Sequence, residues 1–438
     1  VPLPVAPGGP DAVSWGVIQG TNIGYIHVWD WYTAATQSRF SAAVSDLCKT
    51  KKVEGLILDF RMNWGGSPTI ANNGFSQLFN FDPTAYLSIA FRTNRNDHYG
   101  FSFSPSGWGF APTTYSFDRP IAALIGPGCV SAGDINAFRL RFHPMVRFFG
   151  RPTNGAFVGG YTSSATISDG WGYYFFTGMS YSNVPGEGFL IHRGVQPDEE
   201  VWLTRDGVAR GEDDVVKRAL EWITTVAYAH DVWVSRTSRD TIAVLARVEN
   251  PQAHTLNVVA SLKSGSGAII DSLFLADDGI HGDSSAADGL WGSVYVPTKD
   301  DTIYVHVRTD DQTDGTSRSL PNAVTYLFTH KAILLVDNQR VNFGQVEGRT
   351  PMLDTTFIVR NIGESEDSID ISIDYVLVSP ESAVAVTPTL FALAPGDSQE
   401  VTFTLYPPLL APSYYSAIVW VQSRFGYGQT RYSKVMMF

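Results

Sequence analysis

The stretch that decides the fold is Gly55-Leu56-Ile57-Leu58-Asp59-Phe60-Arg61-Met62-Asn63-Trp64-Gly65-Gly66. Its apolar centre has the length of a strand covered on both faces, and it runs without a break into a Gly-Gly turn. A buried strand of this kind belongs to a largely parallel sheet, and ligand crevices form beyond the carboxyl ends of such strands. The Gly-Gly turn can present bare backbone N–H groups of the kind an oxyanion needs, or it can be a plain tight turn.

The flanking sequence supports this reading. Ile23 to Val28 is another buried strand, Phe40 to Leu47 has helical spacing, and Pro120 to Ile125 is a third strand. Ser131 to Phe142 reads as a helix, Val146 to Phe149 as a fourth strand, and Asp213 to Ala227 as an amphipathic helix with Val216, Leu220 and Ile223 on one face. Alternating strands and helices predict an α/β domain over residues 1–228. Val1 to Pro10 reads as an extended linker, as if upstream sequence or a processed end belonged there. Beyond Ala229 the pattern becomes alternating β, as in Thr241 to Val248 and Thr302 to Val307. It predicts two all-β sandwiches, residues 229–329 and 330–438.

Composition sets limits. The 438 residues include 31 Lys or Arg against 43 Asp or Glu, a net charge of −12, which argues against nucleic acid or anionic lipid as the main partner. No apolar run is long enough for a membrane span. Low charge (17%) with abundant aromatics (13%) suits an extracellular or cell-surface protein. The two cysteines, Cys48 and Cys129, exclude a disulfide framework, and their settings argue against a bridge.

Two further segments complete a constellation. In Pro120-Ile121-Ala122-Ala123-Leu124-Ile125-Gly126-Pro127-Gly128-Cys129-Val130-Ser131-Ala132-Gly133-Asp134 a strand meets a Gly-rich loop and a serine opens a helix. Ser131 can expose its hydroxyl there as a nucleophile, or it can simply cap the helix. Phe148 to Ala156 is again a strand followed by a turn. Together the three segments resemble the tail-specific (C-terminal-processing) serine peptidase family, whose pattern is Gly-x-Ile-x-Asp-x-Arg-x-Asn-x-Gly-Gly, then Ser-Ala, then Gly-x-x-Thr-x-Gly. Asn22 to Ile26 and Gly194-Val195-Gln196-Pro197-Asp198 resemble further landmarks. Gly133-Asp134 is closest to the tricorn-type branch.

The resemblance implies a ClpP/crotonase-like core and a serine endopeptidase acting on a peptide or protein substrate. It places the nucleophile at Ser131 and the oxyanion donors at Ala132 and Gly65 or Gly66. The bacterial processing peptidases place a Lys base where this sequence has Ala156, and no lysine lies between Lys52 and Lys217, so a Ser–Lys pair is excluded. The tricorn-type branch takes a His from an upstream segment and a Glu near the Gly-Val-x-Pro-Asp landmark. His192 stands about there, with Glu187 a little earlier. Among His27, His98, His143 and His192, His192 is the in-chain candidate base, ranked behind a base from an upstream segment or partner chain and behind an inactive domain. Related retinoid-binding repeats share the fold without peptidase activity, so a peptide- or ligand-binding domain and a structural surface protein stand as rivals. Ser67 to Ser116 reads as a substrate wall or as a packed insertion.

In the first sandwich, Asp277, Asp278, Asp283 and Asp288 could hold a structural Ca²⁺ through oxygen ligands, or could make ordinary Asp-Gly turns. The last segment resembles Ig-like modules related to the major-sperm-protein fold, which space or attach.

Overall fold

The computed structural model describes residues 12–437 apart from 95, 114–115, 169, 239, 338–339, 344–345, 348, 377, 379, 411–412, 414 and 425–430. The expected opening linker, and Gly344-Gln345 of the last module, lie outside the described residues. In chain order the first part contains β1 (Val13–Val17), β2 (Ile23–Val28), α1 (Ala34–Val44), β3 (Gly55–Asp59), α2 (Asn72–Phe75), β4 (Leu87–Asn94), β5 (Asp97–Pro105) and β6 (Ile121–Ile125). It continues with α3 (Ala132–Leu140), β7 (Val146–Gly150), β8 (Val158–Ser168), β9 (Trp171–Ser182), β10 (Gly188–Phe189), β11 (Glu199–Glu200), α4 (Arg205–Ala209) and α5 (Asp214–Thr225).

Six strands form one sheet in the order β1-β2-β3-β6-β7-β11. All its neighbours run parallel except the antiparallel pair β1–β2. Strands β2, β3 and β6 are buried throughout, as their unbroken apolar runs require. One face packs on α1 and α3 through Phe40, Leu58, Phe60 and Phe138, and the other on α5 through Ile57, Leu124, Phe149 and Trp222. Helix α1 begins six residues before the periodicity starts, because Thr33 caps it by accepting from Thr36 N. Cys48 and Cys129 are both buried free thiols.

A second sheet, β10-β9-β4-β5 with β8 paired to β9, was not foreseen. In β5 the alternation Phe101-Ser102-Phe103-Ser104 is present but lies in a segment rich in Asn, Ser and aromatics, and in β9 the aromatic run Tyr173 to Phe176 breaks the period of two.

The remaining chain is all β. Strands 228–238, 241–249 and 290–295 make a three-stranded sheet, and 256–263, 269–275, 301–311 and 316–328 a four-stranded one. The two share a core that includes Val244, Leu262, Val305 and Phe328. A four-stranded and a five-stranded sheet likewise enclose Phe357, Val359, Phe403 and Val419. Leu320 of the first β unit enters the core around Trp222 and Tyr228, and Arg119 pairs with Asp231 at 2.9 Å. The first β unit is therefore packed on the α/β part rather than strung from it.

A buried charge network ties β3 to α5. Arg61 Nη2 lies 2.6 Å from Asp59 Oδ2 and 2.7 Å from Asp213 Oδ2, and Asp213 also caps α5. Tyr25 donates its hydroxyl to Asp59 Oδ2 at 2.7 Å. Burial by itself would raise the Asp59 pKa, but the Arg61 charge and its hydrogen bonds hold the carboxyl below its ordinary value. A depressed folded-state pKa means that the Asp59 contribution is complete above the unfolded value of about 3.9. It is then lost as pH falls through the depressed value. Asp59→Asn is expected to flatten the acid limb of stability against pH, measured by urea unfolding at a series of pH values. An acid limb as steep as wild type would contradict this role.

Candidate active site

Ser131 is the N-cap of α3, directly after the loop that leaves β6. Its φ is 56° and its ψ −111°, a left-handed conformation that costs a non-glycine residue about 1–3 kcal/mol and persists only when neighbours enforce it. The enforcing group is Asp134. This wholly buried carboxylate accepts from Ser131 N at 2.7 Å, Gly155 N at 2.8 Å and Ala156 N at 3.1 Å. Burial pushes the Asp134 carboxyl above its ordinary value, against the Thr153 hydroxyl and the backbone N–H groups of Gly155, Ser131 and Ala156, which pull it down.

The other landmark residues form the same scaffold. Asn63, fully buried, donates to Val28 O and accepts from Gly65 N at 3.1 Å, while its carbonyl receives Val130 N. Asn154 N donates to Cys129 O, and Thr153 exchanges bonds with Val195 through its N–H and its hydroxyl. Three strand ends are thereby fixed to one another around Ser131.

The Gly-Gly turn lies against the serine. A Cβ at Gly65 would stand 2.8 Å from Val130 O and 3.0 Å from Ser131 Cβ, and one at Gly66 would stand 2.3 Å from Trp31 O. Both glycines have positive φ. The structure corrects one expectation. Gly65 N–H is spent on Asn63 Oδ1 and is not available to an oxyanion. Gly66 lines the same cavity as Ser131 and Ala132. Neither Gly66 N–H nor the helix-opening Ala132 N–H has a backbone acceptor among the described residues.

That cavity measures about 470 Å³. Pro68 and Ile135 line it near the serine, Ile89, Phe91 and Phe176 come from the second sheet, and Trp108 from the loop after β5. No charged side chain lines it among the described residues. The segment from Ser67 to Ser116 thus supplies a wall of the cavity and also packs into the core through Phe75, Phe79 and Leu87.

None of the four histidines forms a hydrogen bond to Ser131 among the described residues. His27 is buried on β2 and burial lowers its pKa. His143 is spent at both ring nitrogens, on Leu78 O and Met145 N, and burial pushes its pKa down to about 4. His98 lies on β5 beside Arg92 rather than in a loop. His192 is exposed at φ 64°, its N–H on Gly155 O, and does not line the cavity. The expected in-chain base is therefore not brought to the serine. Glu187 is turned to Arg141 and to Ser182, whose hydroxyl donates at 2.6 Å. Ala156, at the lysine position, has no side chain that could act as a base, and its N–H is bound by Asp134.

In the first β unit Asp277, Asp283 and Asp288 bring one carboxylate oxygen each within 4.8 Å of one another and could hold a cation together. Asp278 is not part of that group, because its carboxylate pairs with His281 at 2.9 Å. The trio also accepts the loop's own N–H groups. Asp277 takes those of Asp288 and Gly289, Asp283 those of Gly279 and Ser285, and Asp288 that of Leu290. The turn role is thus present in the bonds themselves.

A serine on a strand-to-helix elbow, with two backbone N–H groups and an uncharged cleft beside it, is the arrangement of a serine-peptidase-like domain. Residues 22–201 match Peptidase family S41. No curated protein matches the chain. Among solved structures, a protein from Parabacteroides merdae described as a candidate peptidase is 20% identical (TM-score 0.41), over 49% of this chain and 64% of its own. The photosystem II D1 C-terminal processing protease is 21% identical (TM-score 0.34), over 44% and 49%. A lipoprotein from Streptococcus agalactiae is 17% identical (TM-score 0.36), over 48% and 68%. The chain thus spans about half to two thirds of the length of these structures.

Asp134 was legible only as a landmark, although Ser-x-x-Asp is also a capping-box spacing. In Asp134→Asn one oxygen replaces two, and an NH₂ group faces N–H donors. A loss of about 2–4 kcal/mol is expected in urea unfolding. Wild-type stability would contradict the clamp.

Proposed function

We propose that the chain is a serine endopeptidase in which Ser131 attacks a peptide carbonyl while the N–H groups of Ala132 and Gly66 receive the developing oxyanion. The observation that carries this reading is the strained Ser131 elbow, held in a cavity that it shares with both donors. A serine hydroxyl needs a base within hydrogen-bond reach. Since His192 does not meet Ser131, the base comes from another segment or a partner chain, whose imidazole would take the Ser131 proton and return it to the leaving amine. The uncharged cavity wall suits apolar or small side chains beside the scissile bond.

In this reading the α/β core is of the ClpP/crotonase type, and the two β units are Ig-like modules that space or attach it. A secreted or cell-surface bacterial setting accords with the low charge and with the fact that no helix among the described residues is long and apolar enough to cross a membrane.

A fluorophosphonate probe tests the reading. Labelling of the protein is expected, and it should vanish in Ser131→Ala with folding unchanged. A wild-type protein left unlabelled even in the presence of the segment or partner chain that supplies the base would contradict peptidase activity and leave a peptide-binding domain as the better account.

A further inference from the structure

Helix α3 carries a second buried polar group that attack by Ser131 does not use. Arg139 is fully buried two turns beyond the serine. Its guanidinium is met by neutral acceptors. Nη1 donates to Pro68 O at 3.0 Å and Asn136 Oδ1 at 2.9 Å, and Nη2 to Asn72 Oδ1 at 2.7 Å. The rings of Phe75 and Phe110 lie 5.1 Å and 5.2 Å from its Cζ. Burial lowers its pKa to about 10, which leaves it charged at neutral pH. Its Nε has no partner among the described residues. Only the charge of Asp82 offsets this burial, and Asp82 makes no hydrogen bond to the guanidinium among the described residues. A buried cation hydrogen-bonded to neutral groups is expensive, and an apolar side chain would fill this volume at lower cost.

The contacts show what the charge accomplishes. Pro68, whose carbonyl it holds, follows Gly66 by two residues and lines the Ser131 cavity. Asn72, held by Nη2, donates its own Nδ2 to Gly109 O at 2.9 Å, next to the wall residue Trp108. Phe110 lies under the guanidinium and anchors its N–H on Asp82 Oδ2 at 3.1 Å. One side chain therefore ties the helix that presents Ser131 to both the segment after the Gly-Gly turn and the segment bearing Trp108.

We infer that Arg139 is a positioning residue, which fixes the Gly66 N–H and the Trp108 wall relative to Ser131 through Pro68 and Asn72. Its kinetic consequence rests on the peptidase reading above, whereas its structural consequence does not. The test compares the whole chain with Arg139→Met, which fills the volume without donors, and Arg139→Lys, which keeps the charge but not the fork. Two quantities are read: amide hydrogen exchange over residues 65–72 and 108–110, and the rate of fluorophosphonate labelling of Ser131. In folded Arg139→Met, faster exchange confined to these segments is expected, with labelling slowed by about tenfold or more. Arg139→Lys should fall between it and wild type. Should Arg139→Met not fold, Arg139→Lys alone decides. A folded variant with wild-type exchange in these segments would overturn the inference, as would unchanged labelling despite faster exchange. If the wild-type protein is not labelled even with the segment or partner that supplies the base present, the peptidase reading fails, and the exchange data still decide whether Arg139 positions the two segments.

Discussion

The site depends on one buried carboxylate. Asp134 gathers the N–H groups of Ser131, Gly155 and Ala156 onto two oxygens, and so joins the elbow after β6 to the turn after β7. A serine left to cap a helix would adopt extended backbone, as Thr33 and Thr204 do at α1 and α4. At Ser131 the backbone is instead left-handed, and the strain is held by bonds that would be lost if it relaxed. Capping and exposure of the nucleophile are therefore not rival roles here. The bond that opens the helix is also the bond that strains the serine.

Around this clamp the chain tolerates other costly groups. Arg61 is held between Asp59 and Asp213, and Arg139 between neutral acceptors. Each joins a piece of the parallel sheet or of α3 to a segment distant in sequence. Their common effect is a rigid frame in which Gly66 and Ala132 keep their N–H groups beside the serine. Among the described residues, none of the four histidines of the α/β part is brought to the serine. His27 and His143 are built into the core, His98 lies on a hairpin strand and His192 on an exposed turn.

Much of this was legible in the sequence because it rests on short local signals. The unbroken apolar runs marked β2, β3 and β6, and the resemblance carried by the ordered motifs implied that Ser131, Ala132 and the Gly-Gly turn meet. The rest depends on partners that sequence spacing does not show. Whether Gly65 or Gly66 faces an oxyanion is decided by Asn63, which takes the Gly65 proton. The second sheet was hidden because the alternation of β5 sits in a polar, aromatic-rich segment and an aromatic run interrupts that of β9. Asp278 resembled its three neighbours in sequence, yet it turns to His281 while they converge. The role of Arg139 is set by Pro68 and Asn72, about 70 residues upstream.

The Asp134 clamp is proposed to aim Ser131 at an oxyanion site made by Gly66 and Ala132. A crystal structure of the protein after reaction with a fluorophosphonate tests it most directly. A phosphonyl group on Ser131 Oγ is expected, with one oxygen about 2.7–3.1 Å from both the Gly66 and the Ala132 nitrogen. An adduct whose oxygens point to solvent or to other donors would contradict it, as would a Ser131 relaxed to negative φ.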